Sequence, residues 1–371
     1  MRNLNSYFKH AKRIFIKRGL PIQLIYFVTS NCNLRCIHCF YWERLNCQTN
    51  ELLLPEIEKI SKSIGDLLWL SLTGGEPFLR NDLPDIASLF YKHTGVKYIT
   101  IPTNGLETAR ILALTEKILS LVPKSHLVIY VSLDGFEKTH DQIRNYPGSF
   151  QNSLDTLRGL KKLKKKFNNL GVSTLTTYLS LNQKELKDFF WFIQGYIQPD
   201  NMTINLGRGN MENGRLKEFQ IDYYGDVVRV KRQAIANKNF PYYDSKLGKL
   251  LLAKDMVMYD LVDKTFRENR FQSLCYAGSL SGVMSETGEI FPCELLNESM
   301  GNVREYYYNL RQLWMSPRAN EVRRKIKKSK CFCTWECALN TNILFNMRYY
   351  PRLLRQMVTK KKDKGFSNWP K

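Results

Sequence analysis

Strand-like and helix-like patterns alternate six times between residues 23 and 236, and this alternation constrains the fold more than any other feature. The predicted strands are Leu24–Thr29, Trp69–Leu72, Lys97–Ile101, Leu127–Val131, Val172–Thr177 and Met202–Leu206. Such repetition predicts parallel strands joined by right-handed helical crossovers. Six cycles are too few for a closed eight-stranded barrel, so we expect an α/β fold built on a partial, open (β/α)6 TIM-like barrel.

Polar and glycine-rich peptides follow the predicted strands. They are Asn31-Cys32, Thr73-Gly74-Gly75-Glu76-Pro77, Thr103-Asn104-Gly105, Ser132-Leu133-Asp134-Gly135 and Gly207-Arg208-Gly209. Barrels of parallel strands carry their functional residues at the carboxyl ends of the strands. The sequence therefore predicts one site at this end of the barrel.

Composition and patterning divide the chain into five predicted segments. They are a basic amphipathic extension over 1–22, the barrel core over 23–237, a polar helical linker over 238–270, a small cysteine-rich unit over 271–345 and a basic tail over 346–371. The chain shows no run of apolar residues long enough to span a membrane and no secretory signal pattern.

Nine cysteines without a secretory signal favour metal ligation over a disulfide framework. Cys32, Cys36 and Cys39 place three thiolates on one loop, and thiolates select zinc or iron–sulfur clusters. A structural zinc site needs four ligands, which His38 could complete by count, whereas three cysteines leave one iron of a [4Fe–4S] cluster open. The spacing favours the cluster and leaves zinc as the alternative.

The Cys-x3-Cys-x2-Cys loop after the first strand resembles the signature of the radical S-adenosylmethionine (radical SAM) superfamily. The resemblance covers about residues 23–210. It includes Gly74, Gly75, Glu76 and Pro77, which match the motif that holds the methionine amino group in that family. There the glycines would let the backbone approach the ligand without a blocking Cβ.

The resemblance also implies roles for five further residues. Asn104 and Ser132 would line the ribose and carboxylate side of the cofactor pocket, and Asp134 would lie within reach of cofactor or substrate. Arg144 resembles the arginine aimed at the methionine carboxylate, and His38 stands where an aromatic residue usually packs against adenine. For Asn104-Gly105 and Asp134-Gly135, simple turn formation is an equal alternative.

The reaction that the resemblance implies is reductive cleavage of S-adenosylmethionine at the [4Fe–4S] cluster. The 5′-deoxyadenosyl radical would then abstract hydrogen from a peptide, or from a sugar-like or cofactor precursor. Such an enzyme, an oxidoreductase or a peptide- or small-molecule-modifying enzyme, requires an electron donor such as flavodoxin or ferredoxin. The protein would orient the substrate and exclude water.

A second set of cysteines lies in the 271–345 unit: Cys275, Cys293, Cys331, Cys333 and Cys337. The sequence from Cys275 to Cys293 predicts a β-hairpin with ligands at both ends. This set resembles the SPASM and twitch extensions that hold auxiliary [4Fe–4S] clusters, and five cysteines suggest one such cluster. We favour Cys275, Cys293 and Cys337 with one of Cys331 or Cys333 as its ligands, and a zinc site is the alternative.

The net charge of +22 is concentrated at the two ends, which together contribute 13 of these units. Such termini suit an anionic partner, and a membrane surface is one candidate for a protein expected to be cytoplasmic or peripheral to the membrane. The basic runs lack interleaved aromatic residues, which argues against nucleic acid. Two rival functions remain: a zinc-stabilised, non-catalytic binding protein and an RNA-modifying radical SAM enzyme.

Overall fold

The computed structural model describes residues 19–236 and 246–358. Its centre is one nine-stranded sheet with the strand order β6-β5-β4-β3-β2-β1-β7-β8-β9. The strands are β1 Gln23–Thr29, β2 Trp69–Gly74, β3 Tyr98–Thr103, β4 His126–Ser132, β5 Leu170–Tyr178, β6 Asn201–Leu206, β7 Ser281–Met284, β8 Glu289–Phe291 and β9 Gly301–Asn302.

The first six strands are parallel, each paired with its neighbour in sequence, and the sheet does not close. The partial barrel predicted from the sequence is therefore confirmed. Its helices are α1 Leu54–Ser63, α2 Leu83–Thr94, α3 Thr108–Leu121, α4 Glu137–Arg144, α5 Ser149–Lys164, α6 Leu186–Tyr196 and α7 Ile221–Ala236. Helix α4 was not predicted, and it ends at Arg144.

The C-terminal part of the chain extends the barrel sheet. Strand β7 pairs in parallel with β1, and β7, β8 and β9 continue as antiparallel neighbours. The hairpin predicted between Cys275 and Cys293 is thus present as β7 and β8. It is followed by α9 Leu310–Trp314, α10 Pro317–Lys328, α11 Glu336–Leu344 and α12 Tyr350–Val358.

The segment predicted as a polar linker is a core helix, α8 Lys246–Glu268. Its residues Val257, Tyr259 and Val262 are buried in the main hydrophobic core, because α8 packs against α11 and α12. The predicted amphipathic helix at residues 1–18 and the basic tail at 359–371 lie outside the described residues. Within the part of the chain that the structure describes, no helix has the length and apolar character needed to cross a membrane.

Candidate active site

The cysteine loop leaves the sheet at an irregularity in β1. Phe27 pairs with Thr73 and Thr29 with Gly74, so Val28 has no partner in the β2 register. Such an irregularity re-aims the chain at a strand end. The loop that follows carries Cys32, Cys36 and Cys39, all half-buried free thiols, and is closed by a bond from the Cys39 amide to the Cys36 carbonyl at 3.0 Å.

The two motif glycines allow the exits of β1 and β2 to touch. The Gly75 amide donates to the Thr29 carbonyl at 2.9 Å, and the Glu76 amide donates to the Asn31 carbonyl at 2.8 Å. A Cβ on Gly75 would lie 2.2 Å from the Asn31 oxygen, and one on Gly74, at φ +136°, would lie 2.3 Å from the Thr29 oxygen. In this structure the glycines therefore permit close approach of the cysteine loop's own backbone.

Glu76 ties the exit of β2 to that of β3. Its carboxylate accepts from the Thr103 hydroxyl at 2.9 Å, the Asn104 amide at 2.7 Å and the Phe78 amide at 3.2 Å. Burial raises the pKa of Glu76 to about 7, although these hydrogen bonds oppose the rise. The Asn104 side-chain amide in turn donates to Asn33 Oδ1 at 2.7 Å, which links β3 to the cysteine loop.

Arg144 lies between the cysteine loop and the end of β4. Its Nη2 is 2.6 Å from Asp134 Oδ2, and its Nη1 is 3.8 Å from the Cys36 sulfur. Asp134 was expected to reach the cofactor, but it is completely buried behind Arg144, and its Oδ1 accepts from the Thr177 amide at 2.8 Å. Burial raises the pKa of Asp134, but the Arg144 guanidinium outweighs burial and keeps that pKa below its usual value.

A cavity of about 390 Å³ opens beside these groups, inside the barrel. Of the predicted site residues in the barrel, Cys32, Cys36, His38, Cys39, Gly74, Gly75, Glu76, Asn104, Ser132 and Arg144 line it. Pro77 is buried at the start of a short 3-10 turn and does not line it. The structure thus brings ten of the predicted site residues together around one cavity.

The five C-terminal cysteines are half-buried free thiols. Burial raises the pKa of Cys333 to about 12, and Cys275, Cys293 and Cys331 raise it further, so these four thiols are electrostatic neighbours. Cys337 lines the central cavity, where burial and the nearby Glu294 raise its thiol pKa to about 12. The favoured ligand set, Cys275, Cys293 and Cys337 with one of Cys331 or Cys333, therefore stays a prediction.

Further polar residues that were not predicted from the sequence also line the cavity, among them Asn205, Lys231, Lys254, Glu294, Glu336 and Asn340. Glu336 begins α11, and its Oε1 accepts from the Leu206 amide at the end of β6, at 2.9 Å. Arg208 lies beside them, with its guanidinium carbon 3.1 Å from the centre of the Trp335 ring. Two positional signals were available: Asn205 is at a strand end, and Glu294 and Glu336 each adjoin a cysteine.

An open parallel barrel with three thiols and a polar cradle at its strand exits defines an enzyme that acts at the carboxyl ends of its strands. Residues 26–193 match the family model of the radical SAM superfamily, so this part of the chain is a radical SAM domain. The matched segment includes the cysteine loop and the Gly-Gly-Glu-Pro turn. The predicted resemblance to this superfamily is therefore confirmed.

Curated relatives match most of the chain. It is 24% identical over 332 residues to the AdoMet-dependent heme synthase of Methanosarcina barkeri, a match covering 84% of this chain and 87% of the relative. It is 22% identical over 325 residues to the sporulation killing factor maturation protein SkfB of Bacillus subtilis, covering 84% of this chain and 69% of the relative.

The fold is similar to that of SuiB from Streptococcus suis. The superposition with the S-adenosylmethionine complex of SuiB has a TM-score of 0.57 at 16% identity, covering 87% of this chain and 72% of that chain. A second SuiB structure, bound to the precursor peptide SuiA, gives a TM-score of 0.56. At this identity the likeness supports the fold alone.

The residues present fit the [4Fe–4S] cluster and S-adenosylmethionine that the family implies. As arranged in residues 19–236 and 246–358, no three His, Cys, Asp or Glu side chains converge on a single-ion site. A cubane binds each thiolate through a different iron, so its ligands stand farther apart than those of one ion. The three thiols of the cysteine loop are electrostatic neighbours, since Cys36 and Cys39 both add to the raised pKa of Cys32.

Proposed function

We propose that the chain is a radical SAM enzyme that abstracts hydrogen from a substrate held in the central cavity. One observation carries the proposal: the thiols of the cysteine loop, the Gly74–Glu76 turn and Asn104 open on the same cavity as the polar wall of the C-terminal part. When bound, the cluster and S-adenosylmethionine supply a carbon-centred radical. Cys32, Cys36 and Cys39 would hold the cluster.

The other predicted roles follow from placement around that cavity. The backbone of Gly74 and Gly75 and the carboxylate of Glu76 would receive the methionine amino group, and Ser132 and Asn104 would contact the ribose side. His38 lines the same cavity and would pack on the adenine. Arg144 would position Cys36 and reach the methionine carboxylate, while Asp134 holds Arg144 in place.

The experiment is cleavage of S-adenosylmethionine by anaerobically reconstituted protein treated with dithionite. We expect 5′-deoxyadenosine from the natural sequence, and none from the Cys32→Ala/Cys36→Ala/Cys39→Ala variant. Cys47→Ala is the matched control, because Cys47 is an exposed thiol outside both groups and should leave the yield unchanged. A colourless protein that contains zinc alone and forms no 5′-deoxyadenosine would instead support the zinc-binding rival.

We propose a peptide as the substrate. The relative SkfB is a maturation protein, and SuiB, which shares the fold, has been solved with its precursor peptide. The matching test is transfer of deuterium from a deuterated candidate peptide into 5′-deoxyadenosine. Such transfer would identify the peptide as the source of the abstracted hydrogen.

A small cofactor precursor is the second candidate, because the match to the heme synthase covers 84% of this chain. The same deuterium assay separates the two candidates when a deuterated haem precursor replaces the peptide. Label transferred from the haem precursor and not from the peptide would reverse the proposal.

We also propose one auxiliary iron–sulfur cluster in the C-terminal part. Its proposed ligands are Cys275, Cys293 and Cys337 with one of Cys331 or Cys333, and Cys275, Cys293 and Cys331 all raise the thiol pKa of Cys333. Iron that remains in the triple variant of the cysteine loop would support this cluster, whereas zinc at the same site would support the alternative.

Two partners complete the proposal. A flavodoxin- or ferredoxin-type donor would supply the electron, and an anionic membrane surface would attract the basic end of the chain. The membrane partner is supported by α12 and the turn before it, where Met347, Leu354 and Met357 are exposed beside Arg348 and Arg352.

A further inference from the structure

We infer that the wall of the central cavity formed by Asn205, Glu294, Glu336 and Asn340, here called the acceptor wall, binds N–H groups of the substrate. The inference rests on the proposed function and deepens it, since it names the residues that would select the substrate and the chemistry that they would recognise. None of its four residues belongs to the cysteine loop.

The acceptor wall is assembled from three distant segments. Asn205 precedes the last residue of β6, Glu294 follows Cys293 after β8, and Glu336 and Asn340 lie one turn apart on α11. Residues at i and i+4 share one face of a helix, so Glu336 and Asn340 point to the same side. All four side chains line the cavity that also holds the cysteine loop.

Each residue of the acceptor wall presents a buried oxygen with no hydrogen-bond donor among the described residues: Asn205 Oδ1, Glu294 Oε2, Glu336 Oε2 and Asn340 Oδ1. Glu336 is 2% exposed and Asn205 is 9% exposed. Buried polar atoms in folded proteins nearly always have a partner. Four such oxygens on one cavity wall therefore indicate a ligand that brings donors.

The guanidinium of Arg208 does not hydrogen-bond to this wall. Arg208 Nη1 lies 3.6 Å from Glu336 Oε2, beyond a normal hydrogen bond. Its guanidinium is held by contact with the ring of Trp335, 3.1 Å from the ring centre. The other oxygen of Glu336 is already occupied by the Leu206 amide. Arg208 thus flanks the acceptor wall without supplying the missing donors.

The chemistry of the acceptor wall favours an amide-bearing ligand over a carboxylate-bearing one. The four oxygens accept hydrogen bonds from N–H donors, whereas a carboxylate group brings only further acceptors. A peptide offers N–H groups in series along its backbone and on amide side chains. This matching of donors to acceptors selects a peptide from the substrate classes that the radical chemistry allows.

The test uses saturation-transfer NMR on the reconstituted full chain with three probes: N-acetylglycinamide, N-acetylglycine as its carboxylate counterpart, and methyl β-glucoside as a hydroxyl donor. We expect the amide to bind about tenfold more tightly than the carboxylate. Glu336→Gln and Asn205→Leu should each weaken amide binding about tenfold. Glu321→Gln, on the exposed face of α10, is the matched control and should bind as the natural sequence does.

Several outcomes would overturn the inference. They are no amide signal from the natural sequence, equal binding of amide and carboxylate, or unchanged binding in both variants. Preference for the glucoside would replace the peptide with a sugar. Asn340→Leu provides a third variant if Glu336→Gln fails to fold, since Asn340 is half-buried and its side chain makes no hydrogen bond through Oδ1 within the described chain.

The two proposals fail separately. If the natural sequence forms 5′-deoxyadenosine and binds no amide, the acceptor wall is wrong and the enzyme assignment stands. If it binds the amide and forms no 5′-deoxyadenosine after reconstitution, the enzyme assignment is wrong and the binding site stands.

Discussion

Arg144 joins the cysteine loop to the barrel through Asp134: its Nη2 lies 2.6 Å from Asp134 Oδ2, and its Nη1 lies 3.8 Å from the Cys36 sulfur. Asp134 is completely buried, so removing the guanidinium leaves an unpaired charge in the core. We expect Arg144→Gln to lower the free energy of unfolding by about 3–5 kcal/mol, measured by urea denaturation.

A double variant separates charge from packing in this pair. Arg144→Gln/Asp134→Asn also removes the buried charge, so it should recover a large part of the lost stability. If the single and double variants are equally unstable, the ion pair is not the cause.

Gly75 tests the close contact between the exits of β1 and β2. A Cβ at this position would lie 2.2 Å from a backbone oxygen of Asn31, which cannot move without shifting the cysteine loop. We expect Gly75→Ala to lower the free energy of unfolding by about 2–4 kcal/mol and to reduce the iron bound after reconstitution.

The matched control for Gly75 is Gly225→Ala in α7, where an added Cβ would meet no atom within 4 Å. Alanine is favoured over glycine inside a helix, so this variant should be as stable as the natural sequence or more so. Equal iron content and stability in the two variants would show that the contact at Gly75 is unimportant.

His140 provides a prediction about pH. Its ring is completely buried, its Nδ1 accepts from the Asp134 amide at 3.1 Å, and burial together with Arg144 lowers its pKa from 6.5 to about 4. The unfolded chain therefore binds a proton at a higher pH than the folded chain, so stability is lost as the pH falls below the unfolded value.

We expect the proton uptake linked to His140 to lower the free energy of unfolding by about 1 kcal/mol between about pH 7.5 and about pH 5.5. His140→Gln keeps an acceptor without the titration, so its stability should fall less over the same range in paired urea titrations. An identical pH dependence of the two proteins would assign the acid sensitivity to other groups.

The sequence predicted those parts of the fold and site that depend on local patterns. The six strands of the barrel follow from apolar runs, and the cysteine loop and the Gly74-Gly75 turn follow from their position after strands. Helix α4 was missed because it is eight residues long and strongly polar. Because this helix was not predicted, the position of Arg144 and its pairing with Asp134 could not be inferred from the sequence.

The remainder depends on contacts between distant segments, which a single sequence does not encode locally. Strand β7 has four residues, and its pairing with β1 is decided by tertiary packing. The acceptor wall combines residues about 130 positions apart, such as Asn205 and Glu336.

Metal content tests the C-terminal thiols. Cys275→Ala/Cys293→Ala removes the two positions shared by both ligand sets, so we expect it to lose the auxiliary iron and retain the iron of the cysteine loop. Iron and sulfide analysis after anaerobic reconstitution measures this, with Cys47→Ala as the control. An unchanged iron content would contradict an auxiliary cluster at these residues.

Helix α12 tests the membrane partner. Leu353 is buried against the core, whereas Leu354 is 62% exposed on the basic outer face of the helix. Insertion of exposed apolar side chains, aided by arginines, strengthens binding to anionic lipid. We expect the protein to cosediment with phosphatidylserine vesicles, and Leu354→Glu to weaken that binding about tenfold.

Leu53→Glu is the control for the membrane test, because Leu53 is 64% exposed and lies immediately before α1 rather than on α12. The two substitutions change the net charge equally, so a general electrostatic effect would weaken vesicle binding in both. A loss confined to Leu354→Glu would place α12 at the lipid surface. Equal losses would show that the interaction depends on net charge and not on α12. If the natural sequence does not cosediment with the vesicles, the membrane is not a partner.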